Sequence, residues 1–144
     1  MKTRTVVLAI VLLIVVSPSF AEDKISIDDS YGTWVNSDYN EKGQDAKVVI
    51  NPDGTVVSYA KETDKEPNWT GQFTITDSWH DNEGNLWINR EGIAVKTYDI
   101  PQYIYLLYKF SNDGTVCELV WSGVDYPTEM SPIGGNYEIH YRQE

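Results

Sequence analysis

Aromatic side chains are the residues of this chain that are best suited to hold a small molecule. The sequence contains five Trp, ten Tyr and three Phe residues, all but one Phe downstream of residue 21. Aromatic rings supply a large apolar area, and Trp and Tyr add a polar atom that can orient a ligand. Six of them fall on strand faces that we predict to point inward. These candidate ligand-binding residues are Trp34, Trp69, Phe73, Trp79, Tyr108 and Trp121.

Residue types that usually carry catalysis do not form a recognisable set. Neither Gly-x-Ser-x-Gly nor His-Glu-x-x-His occurs. Cys117 alternates with Leu119 and Trp121 on an apolar face, which predicts a buried and unreactive thiol. His80 lies beside a turn and His140 alternates with Tyr and Ile, so we predict that both are surface histidines. We therefore predict no enzyme, no catalytic residues and no cofactor.

One group of side chains has the chemistry of a cation site. Asp77, His80, Asp81 and Glu83 offer mainly hard oxygen ligands within seven residues. Their spacing is not that of an EF-hand loop, and they surround a turn signal. We interpret them as a solvated hairpin tip and predict no metal site.

Three similar turn signals divide the chain at an even interval. They end in Gly54, Gly84 and Gly114, and each has an acceptor side chain first, an acidic residue third and glycine last. Such a pattern is typical of a tight turn closing a β-hairpin through a glycine at positive φ. The interval leaves room for two strands, so all three turns should lie at one end of an antiparallel meander.

Alternation of apolar and polar residues predicts eight strands and no helix downstream of residue 21. Hairpin-length connections favour a closed, all-β, eight-stranded antiparallel up-and-down barrel, which also leaves no exposed sheet edge. A two-sheet sandwich is the structural alternative. Gly92 either bends the fifth strand or divides it in two, and we predict the bend. The predicted strands are 31–36, 45–51, 55–61, 69–79, 85–98, 103–110, 115–122 and 136–142.

The first 21 residues have the pattern of a signal peptide. Lys2 and Arg4 precede an apolar run over 6–16, and small residues lead to Ala21. The run is too short to span a bilayer of about 30 Å as a helix. We predict cleavage after Ala21, a single barrel domain over 22–144, and a periplasmic or secreted location.

Charge restricts the class of partner. Cleavage after Ala21 would remove two of the 11 basic residues and none of the 22 acidic ones. Such a strongly acidic chain is a poor partner for nucleic acid or for an anionic membrane, and we predict no stable membrane insertion after cleavage. Cys117 is the single cysteine, so no intrachain disulfide can form and a hydrophobic core must supply stability.

Gly32-Thr33-Trp34, at the start of the first strand, resembles the Gly-x-Trp signature of the calycins, which include lipocalins, fatty-acid-binding proteins and avidins. The resemblance is nearest to exported bacterial lipocalin-like proteins. It implies that Trp34 lies inside the closed end of the barrel and that Arg142, on the last strand, packs over it. The alternation of the last strand predicts instead that Tyr137, Ile139 and Tyr141 point inward. In that orientation Arg142 would point outward.

Two functions follow from this pattern. The first is binding of a small apolar or aromatic ligand in the barrel, with the long loops framing the mouth. These loops are net acidic, which favours neutral or cationic ligands over fatty acids. The alternative is an envelope protein-interaction module or inhibitor with a filled barrel core, in which Tyr103 and Tyr105 contact a partner.

Overall fold

The computed structural model describes residues 24–36, 45–96, 99–131 and 136–144. The predicted signal peptide over 1–21 lies outside the described residues, as does the predicted loop over 37–44 between the first two strands. Within the described part of the chain, no helix has the length and apolar character needed to cross a membrane.

Eight antiparallel strands form a closed barrel in which each strand pairs with its neighbours in sequence and β1 pairs with β8. The predicted up-and-down barrel is therefore confirmed, and the sandwich alternative is wrong. A short 3₁₀ helix over Asp28–Ser30 precedes the barrel. The strands are β1 Gly32–Val35, β2 Lys47–Ile50, β3 Thr55–Tyr59, β4 Trp69–His80, β5 Leu86–Lys96, β6 Gln102–Phe110, β7 Val116–Ser122 and β8 Tyr137–Arg142.

The three tight turns connect β2 to β3, β4 to β5 and β6 to β7. Gly54, Gly84 and Gly114 have φ angles of 87°, 83° and 70°, a region that favours glycine. The amide of each glycine donates to the carbonyl of the first residue in its turn. Because each turn joins an even-numbered strand to the next odd-numbered one, all three lie at the same end of the barrel.

Gly92 lies inside one continuous strand. β5 pairs with β4 and with β6 on both sides of this residue, so the chain is not divided here, as predicted. A Cβ atom at position 92 would collide with the backbone carbonyl of Gln72. Glycine at this position therefore permits the close approach of β4 to β5.

A register shift in β4 changes which of its residues face inward. Ile75 pairs with Arg90 and Asp77 pairs with Asn89, which leaves Thr76 as an extra residue. Such a bulge inverts the alternation of every residue that follows it. Trp79 consequently stacks on Trp87 outside the barrel, with ring centroids 5.9 Å apart, and is 40% exposed. The prediction that Trp79 faces inward is wrong for this reason.

The end of the barrel that carries the tight turns is filled by side chains. Trp34 is fully buried, its ring centroid lies 5.2 Å from that of Phe110, and its Nε1 atom donates to the carbonyl of Ser30 in the 3₁₀ helix. The guanidinium carbon of Arg142 lies 4.9 Å from the Trp34 ring centroid. Arg142 also donates to the carbonyls of Gly114 and Asp29. These contacts close the barrel at this end.

The inward face of β8 consists of Glu138, His140 and Arg142. Opposite residues of paired strands share a face, and Cys117 and Leu119 of β7, both buried, pair with His140 and Glu138. His140 is 1% exposed and Tyr141 is 46% exposed. The predicted surface position of His140 is therefore wrong, as is an inward Tyr141. Alternation indicated the opposite orientation, because Tyr137, Ile139 and Tyr141 form the more apolar of the two faces.

Candidate functional site

The described residues enclose a cavity of about 340 Å³ at the end of the barrel opposite the tight turns. This volume lies at the lower end of the range of roughly 300–1,000 Å³ found for small-molecule sites. Its apolar lining comes from Trp69, Phe73, Ala94, Ile100, Ile104, Leu106, Leu119 and Trp121. Polar and charged residues also contribute, namely Asp45, Asn68, Lys96, Asp99, Gln102 and Glu138. Among the described residues, the interior of the barrel is thus filled at one end and contains a cavity at the other.

Two aromatic side chains of β4 form one wall of the cavity. Trp69 and Phe73 are four residues apart on the inward face before the bulge, and Gly71 lies between them. The missing side chain at Gly71 leaves the space that the Phe73 ring occupies. The two rings meet edge to face with centroids 6.3 Å apart. Trp121, on β7, contributes to the lining and is 36% exposed.

Asp45 holds this wall in place. Its carboxylate accepts hydrogen bonds from the indole Nε1 of Trp69 at 2.6 Å and from the side-chain amide of Asn68 at 2.8 Å. Both carboxylate oxygens are therefore used within the protein. Because a charged acceptor strengthens such bonds, the indole of Trp69 is fixed against the cavity rather than free to turn.

Glu138 places a second carboxyl group in the lining. Its side chain is 12% exposed, and its Oε2 atom has no hydrogen-bond partner among the described residues. Burial raises the pKa of Glu138 to about 8, and the nearby negative charge of Asp45 acts in the same direction. A hydrogen bond from the Asp45 backbone opposes this shift. Glu138 is therefore largely protonated at neutral pH.

His140 lies directly beneath Glu138 on the same strand. Its Nε2 atom is 3.1 Å from the carbonyl oxygen of Asp45 and 3.6 Å from Glu138 Oε2. Burial lowers the pKa of His140 to about 4, although the contacts with Asp45 oppose this. The imidazole is thus neutral at pH 7, so the close approach to Glu138 is not an ion pair. His140 instead links β8 to the segment that precedes β2.

Arg90 is a buried cation below the cavity. It is 1% exposed, and its guanidinium carbon lies 5.7 Å and 5.5 Å from the ring centroids of Tyr31 and Tyr108. It donates to the hydroxyl of Ser30 at 3.3 Å, while its Nε atom has no hydrogen-bond partner in the described part of the chain. Burial raises the pKa of the Tyr108 hydroxyl, which stays protonated beside this cation. Arg90 does not line the cavity.

The structure separates the six candidate ligand-binding residues into three groups. Trp69, Phe73 and Trp121 line the cavity. Trp34 and Tyr108 are fully buried in the core below it, and Trp79 lies on the outer surface. The role of Trp69, Phe73 and Trp121 in ligand binding stays a prediction.

Sequence reasoning missed the polar residues of the interior: Asp45, Arg90, Glu138 and His140. Charged residues on a strand normally indicate its solvent face, so nothing in the alternation of β5 singled out Arg90. A signal did exist for Glu138. Placing Arg142 over Trp34 requires the even-numbered residues of β8 to point inward, and Glu138 is one of them.

Other candidate chemical groups are occupied or inaccessible. Burial raises the pKa of the Cys117 thiol well above its usual value, so the thiol is unreactive, in agreement with its predicted burial. The Asp81 carboxylate accepts from the indole of Trp87 and from Asn85, and the first of these bonds is the main reason that its pKa falls to about 2. Among the described residues, no three His, Cys, Asp or Glu side chains are grouped as metal ligands.

Comparisons with protein-family models, with curated proteins and with solved structures find no match to this chain. The fold assignment therefore rests on the strand order and pairing themselves. The eight-stranded antiparallel barrel is compatible with a lipocalin-like fold, and the likeness to calycins is one of architecture and of the few residues around Trp34.

Proposed function

We propose that this protein binds a small molecule with an apolar or aromatic body in the cavity at the long-loop end of the barrel. The observation that carries the proposal is the cavity itself, with Trp69, Phe73 and Trp121 around an apolar interior. A core that only stabilises the fold gains from close packing, because voids forfeit dispersion contacts. A cavity that has the size of a ligand and an aromatic lining therefore supports a role in binding a small molecule.

The proposal includes a lipocalin-like mode of binding and action outside the cytoplasm. Trp34 and Arg142 close one end of the barrel, and the cavity lies at the other end, which the longer loops reach. A lipocalin-like binding protein requires this division of the barrel. The basic start, apolar run and small residues that lead to Ala21 support export. The acidic character of the chain suits a soluble carrier or sensor in such a compartment.

A fluorescence titration tests this function. The full chain is produced in a bacterial host and purified from the periplasmic fraction, where its mass should correspond to a chain that begins at Glu22. The neutral lipophilic probe N-phenyl-1-naphthylamine is then added while Trp emission is recorded. We expect saturable quenching with one probe per barrel, because Trp69 and Trp121 would lie in contact with it.

Two matched variants test whether the probe binds inside the cavity. Ala94 lines the cavity and Val95, the next residue of β5, is 43% exposed on the outer face. Ala94→Phe should fill the cavity and abolish saturable quenching, whereas Val95→Phe should leave it unchanged. Equal quenching in both variants would put the probe outside the barrel and contradict the proposal. Retention of residues 1–21 in the purified protein would contradict export.

A further inference from the structure

We propose that the ligand of this cavity carries an amine, and that the carboxyl group of Glu138 binds its ammonium. The inference rests on the proposed function, because it concerns the same cavity. It adds the chemical class of the ligand and names the residue that selects it.

Glu138 is the carboxyl that the protein leaves available. Asp45 uses one oxygen for Asn68 and the other for Trp69. Glu138, in contrast, lines the cavity and has a buried oxygen without a hydrogen-bond donor among the described residues. A buried carboxyl with an unfilled acceptor is costly, and a donor supplied by a ligand removes that cost.

The charges of the lining favour a cation. Asp45, Asp99 and Glu138 contribute carboxyl groups, and Lys96 contributes the one ammonium in the described lining. Asp99 and Lys96 are exposed at the rim, where water screens them. Arg90, the buried cation, lies below the cavity and donates to Ser30. The interior part of the lining is therefore acidic, and an ammonium there meets low-dielectric surroundings in which a charge pair is strong.

Glu138 faces titratable groups on several strands. Asp45, ahead of β2, opposes its ionisation, and His140 lies beside it on β8 in the neutral form. Tyr108 of β6 and Cys117 of β7 sense the charges of both Glu138 and Arg90, and burial keeps both of them protonated. None of these groups supplies a cation in contact with Glu138. An ammonium would therefore favour the carboxylate form, and binding would release the proton that Glu138 holds.

Three probes with one ring system isolate the contribution of the amine. They are 2-naphthylmethylamine, 2-naphthylmethanol and 2-naphthoate, each titrated into the protein by calorimetry at pH 8.5. We expect the amine to bind more tightly than the alcohol by about tenfold or more, which is the typical effect of a hydrogen bond to a charged group. The naphthoate should bind most weakly because of the acidic lining.

The variant Glu138→Gln removes the charge and keeps the shape. It should reduce the affinity for the amine to that for the alcohol and leave the alcohol unaffected. Glu118→Gln is the matched control, because Glu118 lies on the neighbouring strand and points away from the cavity, toward Lys109 and Tyr137. The same loss of amine affinity in both variants would overturn the role of Glu138.

The wild-type protein provides a test that needs no variant. The affinity for the amine should rise from pH 6 to pH 8.5, and calorimetry at pH 7 in phosphate and in Tris should show release of about one proton per amine bound. Release of no proton, or equal affinity for all three probes, would overturn the inference and leave the proposed function standing. Binding of none of the three would overturn both.

Discussion

At the scale of the residue, the interior of this barrel is defined by two ionisable side chains with opposite pKa shifts. Glu138 and His140 are neighbours on the inward face of β8, and burial favours the neutral form of each. The pKa of an acid therefore rises while that of a base falls. Neither group carries a full charge near pH 6, which allows both to lie inside without an ionic partner.

These shifts predict how stability depends on pH. Unfolded Glu138 loses its proton near pH 4.5, whereas folded Glu138 keeps it up to about pH 8. Above pH 6.5 the folded state therefore binds more protons at this site, and the free energy of unfolding should fall by about 2 kcal/mol by pH 8. Urea unfolding followed by Trp fluorescence at half-unit pH steps measures this decline.

Substitution of Glu138 tests whether this residue causes the predicted decline in stability. Glu138→Gln has no proton to lose, so its stability should stay flat over this interval, while Glu118→Gln should decline like the wild type. An unchanged decline in Glu138→Gln would assign the effect to another group. Below pH 6.5 His140 has the opposite effect on the free energy of unfolding. Its imidazole binds a proton below about pH 6.5 in the unfolded state but only below about pH 4 in the folded state. The two slopes therefore oppose each other between pH 4.5 and 6.5.

At the scale of the element, the pairing of β4 with β5 shapes both faces of the barrel wall. The bulge at Thr76 keeps Trp69 and Phe73 inward and turns Trp79 outward. Gly71 leaves space for the Phe73 ring, and Gly92 lets the two backbones approach. One wall of the cavity thus depends on the two glycines and on the extra residue Thr76.

Gly92→Ala tests the close approach of these strands. The added methyl group would meet the backbone of Gln72, which cannot move aside as a flexible side chain can. We expect a loss of at least about 2 kcal/mol in the free energy of unfolding by overpacking, measured by urea denaturation. Gly123→Ala is the control, since a Cβ atom there meets nothing within 4 Å and should change stability by less than about 0.5 kcal/mol. Equal effects of the two substitutions would contradict this account.

At the scale of the whole molecule, closure of the barrel gives its two ends different roles. The end with the tight turns is sealed by Trp34, Phe110 and Arg142, together with the 3₁₀ helix that accepts a hydrogen bond from Trp34. The opposite end, reached by the longer connections, contains the cavity. Antiparallel pairing of all eight strands closes the sheet, so the barrel presents no free strand edge on which another chain could pair.

Much of the fold was predictable from the sequence because its signals are local. Glycine at positive φ is required where a tight turn closes, and alternation follows from the two-residue repeat of a strand. These signals predicted the three turns, the eight strands within a few residues of their ends, and a continuous strand through Gly92. The inward positions of Phe73, Leu106 and Cys117 follow from the same alternation.

Tertiary structure decided the orientation of β8, the position of Trp79 and the existence of the cavity. A bulge is visible only when two strands are paired, because the extra residue is the one that has no partner on the opposite strand. The same holds for β8, whose inward face is set by its pairing with β7. The sequence by itself determined a closed antiparallel barrel with aromatic residues inside. Only the pairing of its strands decided between the two possible orientations of β8 and so placed Glu138 in the cavity, because alternation and the position of Arg142 predicted opposite inward faces.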